Sequence, residues 1–150
     1  MNGNIIIKNA SELVTCSGFA AKKGSEMSEL RIISDGAVVV KEGKIEAVGT
    51  TKDIEAEMEK SRIDLSDFDI IDAKNKSVLP GFVDSHTHLV FGGFRAEEFS
   101  WRLRGDSYME IMNRGGGIVN TVEATRRATF EELVQAGIKR LDSMLAFGVT

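Results

Sequence analysis

The pattern of apolar residues changes at Pro80, the single proline of this chain, and that change limits the possible folds most strongly. Before Pro80 the apolar residues form short β-branched runs separated by turn residues, which is typical of strands. After Pro80 one apolar segment is followed by a long amphipathic stretch with helical spacing. We therefore predict two regions, residues 1–79 and residues 80–150, that are built from different elements.

The first region is predicted to be mainly β-structure. Strands are predicted at residues 5–7, 37–40, 44–48, 70–71 and 77–79. Lys41, Glu42 and Gly43 separate two of these runs, and a glycine at that place favours a hairpin. Residues 51–60 are charged and rich in Ala, Met and Glu, which predicts a short exposed helix. Several short strands with one small helix predict a β-sandwich lobe that is incomplete as it stands.

The second region is predicted to be a β/α unit. Residues 81–83 begin an apolar strand, a glycine-rich and charged connection follows, and Thr129 with Glu132 forms a capping box at the start of a helix. Gly148 is suited to end that helix, and Val149 begins a further strand. The apolar residues of one helical face are Phe130, Leu133, Val134, Ile138, Leu141, Met144 and Leu145. A strand, a helix and a second strand predict an α/β fold with a parallel sheet or a barrel. One such unit cannot close a barrel, so we expect the chain to be a truncated piece of a larger protein.

The composition excludes several classes of protein. Hydrophobic residues make up 42% and charged residues 28%, so an ordered globular chain is expected. The net charge is −4, and no Lys/Arg cluster offers a surface for nucleic acid. The apolar runs are too short for a membrane span, and from the first residues we expect no secretory signal. One cysteine, Cys16, cannot form an internal disulfide, which favours a cytoplasmic location.

Both histidines of the chain lie in the sequence Asp84-Ser85-His86-Thr87-His88. If this segment is the end of a strand, His86 and His88 project from the same face with Cα atoms roughly 6.6 Å apart, while Thr87 points away. Two imidazoles so placed can bind one metal ion, although they do not select which one. The alternative is two neighbouring histidines without a ligand. For Asp84, which lies deeper in the strand, we expect a supporting or structural role rather than ligation.

Two further features follow the histidines. Arg95 lies seven positions after His88, where it could bind a substrate carboxylate with two hydrogen bonds. From the residues alone, a surface arginine paired with Glu97 or Glu98 is the favoured interpretation. Gly115-Gly116-Gly117 is equally consistent with a mobile lid and with a plain loop. It is not a phosphate-binding loop, because no Gly-Lys-Ser/Thr follows it.

Several segments resemble a known group of enzymes. Residues 79–88 resemble the signature that opens the barrel in the amidohydrolase superfamily, and residues 36–49 are similar to its N-terminal β-lobe. A narrower resemblance, to the imidazolonepropionase family, covers roughly residues 79–127. It is carried by residues 88–95, 98–99, 108–111, 115–118 and 121–126. Ser85 stands where that signature most often has proline, on the side away from the expected metal face.

The resemblance implies a fold and a chemistry. The fold would be a TIM-like (β/α)8 metal-hydrolase barrel preceded by a β-sandwich lobe, made from both ends of a longer chain. His86 and His88 would be the first two ligands of Zn2+ or Fe3+, and Arg95 would bind the substrate. The reaction would be hydrolysis of 4-imidazolone-5-propanoate, a small molecule, to N-formimidoyl-L-glutamate. The full-length enzyme could be a homodimer. The remaining ligands and the residues that transfer protons are expected beyond Thr150, so the 150-residue chain alone is expected to be inactive and poorly folded.

Three alternatives stay open on the sequence. The first is another amidohydrolase, of the guanine deaminase or cyclic amidase type, which would share the barrel-opening motif. The second is a non-catalytic fragment, or a subunit that works only in association. The third is a separate metal-binding module, which two histidines would make weak.

Overall fold

The chain forms two compact units in the computed structural model, which describes residues 3–18 and 20–150. One unit ends at Pro80 and the other is Gly81–Thr150. Residues 1, 2 and 19 of the predicted lobe lie outside the described residues. The division between the units falls one residue after the change in the apolar pattern.

The first unit is built on one five-stranded sheet. Its elements are β1 (Ile5–Val14), β2 (Ile32–Lys41), β3 (Lys44–Thr50), α1 (Thr51–Lys60), β4 (Asp69–Asp72) and β5 (Ser77–Val78), with 3-10 turns at Gly24–Ser28 and Leu65–Asp67. The strand order is β3-β2-β1-β4, and β5 also pairs with β1. β2 is antiparallel to β1 and β3, whereas β4 and β5 run parallel to β1. All five predicted strands are therefore present; β1 to β4 are longer than predicted, and β5 is one residue shorter.

The β2–β3 hairpin turns where the sequence predicted it. Lys41 pairs with Lys44, so Glu42 and Gly43 form a two-residue turn. Their φ angles are 52° and 75°. Two successive positive φ angles are the mark of a type I′ turn, whose twist matches that of the strands. Gly43 adopts this conformation without steric cost.

The core of this unit lies on both faces of the sheet. Ala37 and Val39 of β2 pack with Ile54 and Met58 of α1 on one face. The alternate residue Val38 points to the other face, where it packs with Ala10, Leu13 and Ala73. Helix α1 has the predicted bounds, but the prediction that it is simply exposed was wrong. Its apolar positions are four residues apart and cover the sheet.

A sandwich requires a second sheet facing the first. Residues 3–18 and 20–80 form a single sheet covered by α1 on one face. The sandwich lobe therefore stays a prediction from the strand pattern and the family resemblance.

The second unit is mainly helical. Its helices are α2 (Ala96–Leu103), α3 (Tyr108–Asn113), α4 (Gly117–Arg127) and α5 (Phe130–Ala146). The prediction of a long connection before α5 was wrong, because three helices lie there. Ser107 and Glu110 form a capping box at the start of α3. That sequence signal was available, but the glycines around it favoured a loop.

Helix α5 begins and ends as predicted. Thr129 and Glu132 form the capping box, and Gly148 follows the helix with a φ of +82°. Phe82 then forms a parallel bridge with Val149. The predicted strand from Gly81 to the histidines was wrong in its extent, since among the described residues only this one bridge connects the two segments and the chain bends at Ser85 and His86.

Helix composition bears on membrane insertion. In the described part of the chain, no helix has both the length and the apolar character needed to cross a bilayer.

The capping box of α5 generates a prediction about pH. The Thr129 N–H and hydroxyl donate to Glu132 Oε2 at 2.8 and 3.0 Å and hold the pKa of that carboxyl below its usual value. A depressed folded-state pKa contributes stability above the unfolded pKa, and this contribution is lost as the pH falls through the folded pKa. Glu132→Gln should therefore lower the free energy of unfolding at pH 7, and the deficit should be smaller at about pH 3, which is below the unfolded-state pKa of about 4.3. Urea unfolding at both pH values measures this. Glu131→Gln, in the same exposed turn, is the matched control. A deficit of equal size at both pH values would contradict the prediction.

Candidate metal and substrate site

The segment that carries the histidines is irregular and lies along α5. At its start, the Phe82 N–H donates to Gly148 O at 2.8 Å. In its middle, the Thr87 hydroxyl contacts Met144 Sδ at 3.9 Å. Thr87 therefore contacts the helix, and His88 borders a pocket that Thr87 and Met144 also line. The segment is not a strand, so the expectation that Thr87 and the histidines point in opposite directions stays a prediction.

A turn, rather than a strand, brings the two imidazoles together. Asp84 Oδ1 accepts the His86 N–H at 3.1 Å, which stabilises the bend. This contact fits the structural role expected for Asp84. The Nε2 atoms of His86 and His88 are 3.2 Å apart, and the ring planes differ by 12°. Both side chains are exposed, so the pair is open to solvent.

The spacing of the two nitrogens fits a shared metal ion. Two imidazole nitrogens about 2.05 Å from an ion at a tetrahedral angle lie roughly 3.3 Å apart. The observed 3.2 Å is close to that value. The same spacing suits a hydrogen bond from the Nε2–H of one ring to the bare Nε2 of the other. The two nitrogens are thus at a distance that a shared metal ion would require.

The pair is not a complete metal site. Within residues 3–18 and 20–150, no group of three or more His, Cys, Asp or Glu side chains could hold an ion. A catalytic zinc typically has three protein ligands and one open position. The two histidines therefore fit part of a ligand set, and imidazole donors suit zinc, iron, copper or nickel without selecting among them.

Arg140 is a site residue that the sequence did not reveal. Its Nη1 donates to Leu89 O at 2.9 Å and to Phe91 O at 3.2 Å. Its guanidinium carbon lies 3.7 Å from the centre of the Phe91 ring, a cation–π arrangement. Arg140 thus fixes the backbone directly after His88. Arg140 lies seven residues after Leu133 and four before Met144, at the edge of the predicted apolar face, and a charged residue at that edge gave no sequence signal for this role.

Arg95 lines one of two neighbouring pockets that share a residue. It is the N-cap of α2, and its side chain is 40% exposed. It lines a pocket of about 200 Å³ together with Phe94, Gly116 and other residues. Phe94 also lines a pocket of about 510 Å³ that His88 borders. Arg95, the candidate substrate-binding residue, and His88, a candidate metal ligand, therefore border two pockets that are both lined by the Phe94 side chain.

The pairing of Arg95 with Glu98, one of the alternatives from the sequence, is present. Arg95 Nη1 lies 3.4 Å from Glu98 Oε2. This does not exclude substrate binding, because a guanidinium has five N–H donors.

The triple glycine joins α3 to α4, and the choice between a lid and a plain loop stays a prediction. Gly115 follows α3 with a φ of +81°, Gly116 is the N-cap of α4, and Gly117 is its first residue. Gly116 and Gly117 are buried. The run is a tight turn between two helices at the edge of the Arg95 pocket.

Comparisons with known proteins identify relatives of this chain. Residues 69–134 match the model of an amidohydrolase family. The chain is 58% identical over 148 residues to the imidazolonepropionase of Clostridium tetani. The aligned residues make up 99% of this chain and 34% of that protein. It is 54% identical to the imidazolonepropionase of Parabacteroides distasonis, over 99% of this chain and 35% of that protein. The chain thus spans about a third of the length of the curated relatives it matches. A solved structure, E. coli guanine deaminase, aligns with a TM-score of 0.45 and 24% identity, over 63% of this chain and 20% of that one.

The contacts of Arg140 generate a prediction about local stability. Arg140→Met should release the carbonyls of Leu89 and Phe91, so the segment after His88 should open more often. Hydrogen bonds from a charged donor contribute about 1.5–3 kcal/mol, so amide hydrogen exchange there should be about tenfold faster or more. The Gly92 N–H, which donates to Thr125 Oγ1 at 3.0 Å, is a suitable probe. Lys139→Met, which removes a neighbouring exposed cation, is the control. Unchanged exchange at Gly92 in Arg140→Met would show that Arg140 does not hold the segment.

Proposed function

We infer that this chain, whose residues 69–134 match the model of an amidohydrolase family, carries part of the active site of an imidazolonepropionase. The similarity to imidazolonepropionases over nearly the whole chain supports the substrate assignment. The observation that carries the site assignment is the convergence of His86 and His88, together with the two pockets, one bordered by His88 and one by Arg95, that share Phe94.

The proposed reaction is the hydrolysis of 4-imidazolone-5-propanoate to N-formimidoyl-L-glutamate. Water adds across the ring amide bond: the carbonyl carbon gains the hydroxyl group and the ring nitrogen gains the proton. The carbon–nitrogen bond breaks, and the former carbonyl carbon becomes a carboxylic acid, which ionises to the carboxylate by releasing its proton to solvent. The reaction needs no oxidant and no co-reactant besides water.

His86 and His88 would hold the metal ion through Nε2. When bound, such an ion supplies Lewis acidity and lowers the pKa of water toward neutrality. The chain's own contribution is geometric. Asp84 fixes the bend before the first ligand, and Arg140 fixes the backbone after the second. Both contacts reduce the conformational freedom that the two imidazoles lose on binding the ion.

Arg95 would bind the propanoate carboxylate of the substrate. A guanidinium matches a carboxylate with two parallel hydrogen bonds. Its partial exposure at the pocket leaves donors available to a ligand. Binding the carboxylate there would place the imidazolone ring toward the Phe94 wall that both pockets share.

Several finer features belong to the same proposal. We propose that further metal ligands come from outside these 150 residues, and that the ion is zinc or iron. The complete enzyme would be a cytoplasmic homodimer with a (β/α)8 barrel. The parallel bridge between Phe82 and Val149, with α5 connecting them, supports a β/α arrangement.

A first test addresses the metal ligands in the complete protein. His86→Ala and His88→Ala should each lower the bound metal by at least about tenfold and abolish hydrolysis of imidazolone propanoate. Metal content is read by elemental analysis and activity by loss of substrate absorbance. Thr87→Val, which alters the residue between them without removing an imidazole, should keep both. Full metal content together with full activity in His88→Ala would refute the assignment.

A second test addresses substrate binding. Arg95→Ala should raise KM by about 10- to 100-fold with a smaller change in kcat, because a charge-assisted contact to the carboxylate is lost. Arg95→Lys should recover only part of that loss, because an ammonium cannot form the two-pronged contact. Arg102→Ala, an exposed arginine on the same helix, should leave both constants unchanged. An unchanged KM in Arg95→Ala would remove Arg95 from the substrate site.

A further inference from the structure

We propose that Glu98 is a positioning residue that orients Arg95 for the substrate carboxylate and ties it to the glycine turn before α4. This inference rests on the proposed function, since it concerns the same arginine. It assigns a role to the one buried acidic side chain among the described residues.

The burial of Glu98 is the first observation. Its residue exposure is 8%, although it lies on a short surface helix. A buried carboxylate is costly unless its oxygens are paired with donors. Both oxygens are in use here. Oε1 accepts the Gly117 N–H at 2.7 Å, and Oε2 faces Arg95 Nη1 at 3.4 Å.

The glycine turn at residues 115–117 provides the space and an N–H donor for this carboxylate. A Cβ at Gly116 would lie 2.8 Å from Glu98 Oε1 and 2.8 Å from Ile111 Cγ2. Gly117 has a φ of +72°, a backbone conformation that other residues rarely adopt, and in this conformation its N–H donates to Glu98 Oε1. The triple glycine therefore lets the backbone approach a buried acid closely, which explains a motif that the reaction itself does not use.

Glu98 contacts the guanidinium of Arg95 through Nη1. The structure pairs Nη1 with Glu98, and the side chain keeps 40% of its surface exposed. A guanidinium restrained by one carboxylate can present its remaining donors to a second carboxylate with less loss of rotamer freedom. The Gly117 N–H, at the start of an 11-residue helix, partly compensates the charge of Glu98. This compensation limits the repulsion between Glu98 and an incoming carboxylate.

A double-mutant cycle in the complete protein tests the proposal. The variants are Glu98→Gln, Arg95→Ala and the double variant, and the readouts are KM and kcat for imidazolone propanoate. Glutamine keeps an acceptor for the Gly117 N–H but loses the charge that faces Arg95. We expect Glu98→Gln to raise KM about fivefold to tenfold with kcat within about twofold, and to have no further effect when Arg95 is already alanine. A purely structural role would instead change kcat or stability in both backgrounds. Glu97→Gln, the exposed neighbour on α2, is the matched control and should behave as the wild type.

The outcomes separate this inference from the proposed function. If Arg95→Ala raises KM but Glu98→Gln does not, or if the two effects on KM add fully, the positioning role is overturned and the proposed function stands. If the complete protein does not hydrolyse imidazolone propanoate, or Arg95→Ala leaves KM unchanged, the underlying assignment fails and the inference fails with it. If Glu98→Gln does not fold, Glu98→Asp decides the question. It keeps the charge but shortens the reach to Arg95, so an increased KM with unchanged kcat supports the proposal and a wild-type KM overturns it.

Discussion

The contact between the Arg140 guanidinium and the backbone after His88 is the interaction on which the candidate metal site depends. The segment from Val83 to Phe94 forms no strand, so ladder hydrogen bonds cannot fix its position. Arg140 replaces them with two carbonyl contacts and a stacked Phe91 ring. A charged donor on a rigid helix is well suited to this role, because it binds carbonyls more strongly than a neutral donor would. The orientation of both imidazoles follows from the path of this segment.

A second charged group organises the neighbouring pocket. Glu98 connects the start of α2, through Arg95, with the start of α4, through Gly117. Buried charges of this kind rarely add much net stability, since desolvation offsets the attraction. They do fix geometry, because each oxygen has one favourable partner. Arg140, which binds backbone carbonyls, thus lies at one of the two pockets that Phe94 lines. Glu98, which binds Arg95, lies at the other.

The two units of the chain differ in how they bury apolar surface. Among the described residues, all buried hydrophobic side chains except Ile111 belong to the unit that ends at Pro80. In Gly81–Thr150, Phe94, Phe130 and Phe147 are each more than 80% exposed. Helices in this unit are fixed at their ends by capping boxes and glycines, whereas packing contributes less. The local signals for these elements are accordingly strong in the sequence, which is why α5 could be predicted to within a residue.

The sequence by itself determined the elements that depend on neighbours along the chain. The hairpin at Glu42-Gly43, the bounds of α1, the capping box at Thr129 and the pairing of two imidazoles on one segment all follow from short-range backbone and side-chain preferences. The three helices before α5 were missed where glycines outweighed a capping signal at Ser107. Only the tertiary structure decided which distant groups meet. Arg140 lies 51 residues from Leu89 and Glu98 lies 19 from Gly117. No periodicity encodes such contacts, because they depend on how the helices fold back on the chain, so the sequence suggested the ligands but not the residues that hold them in place.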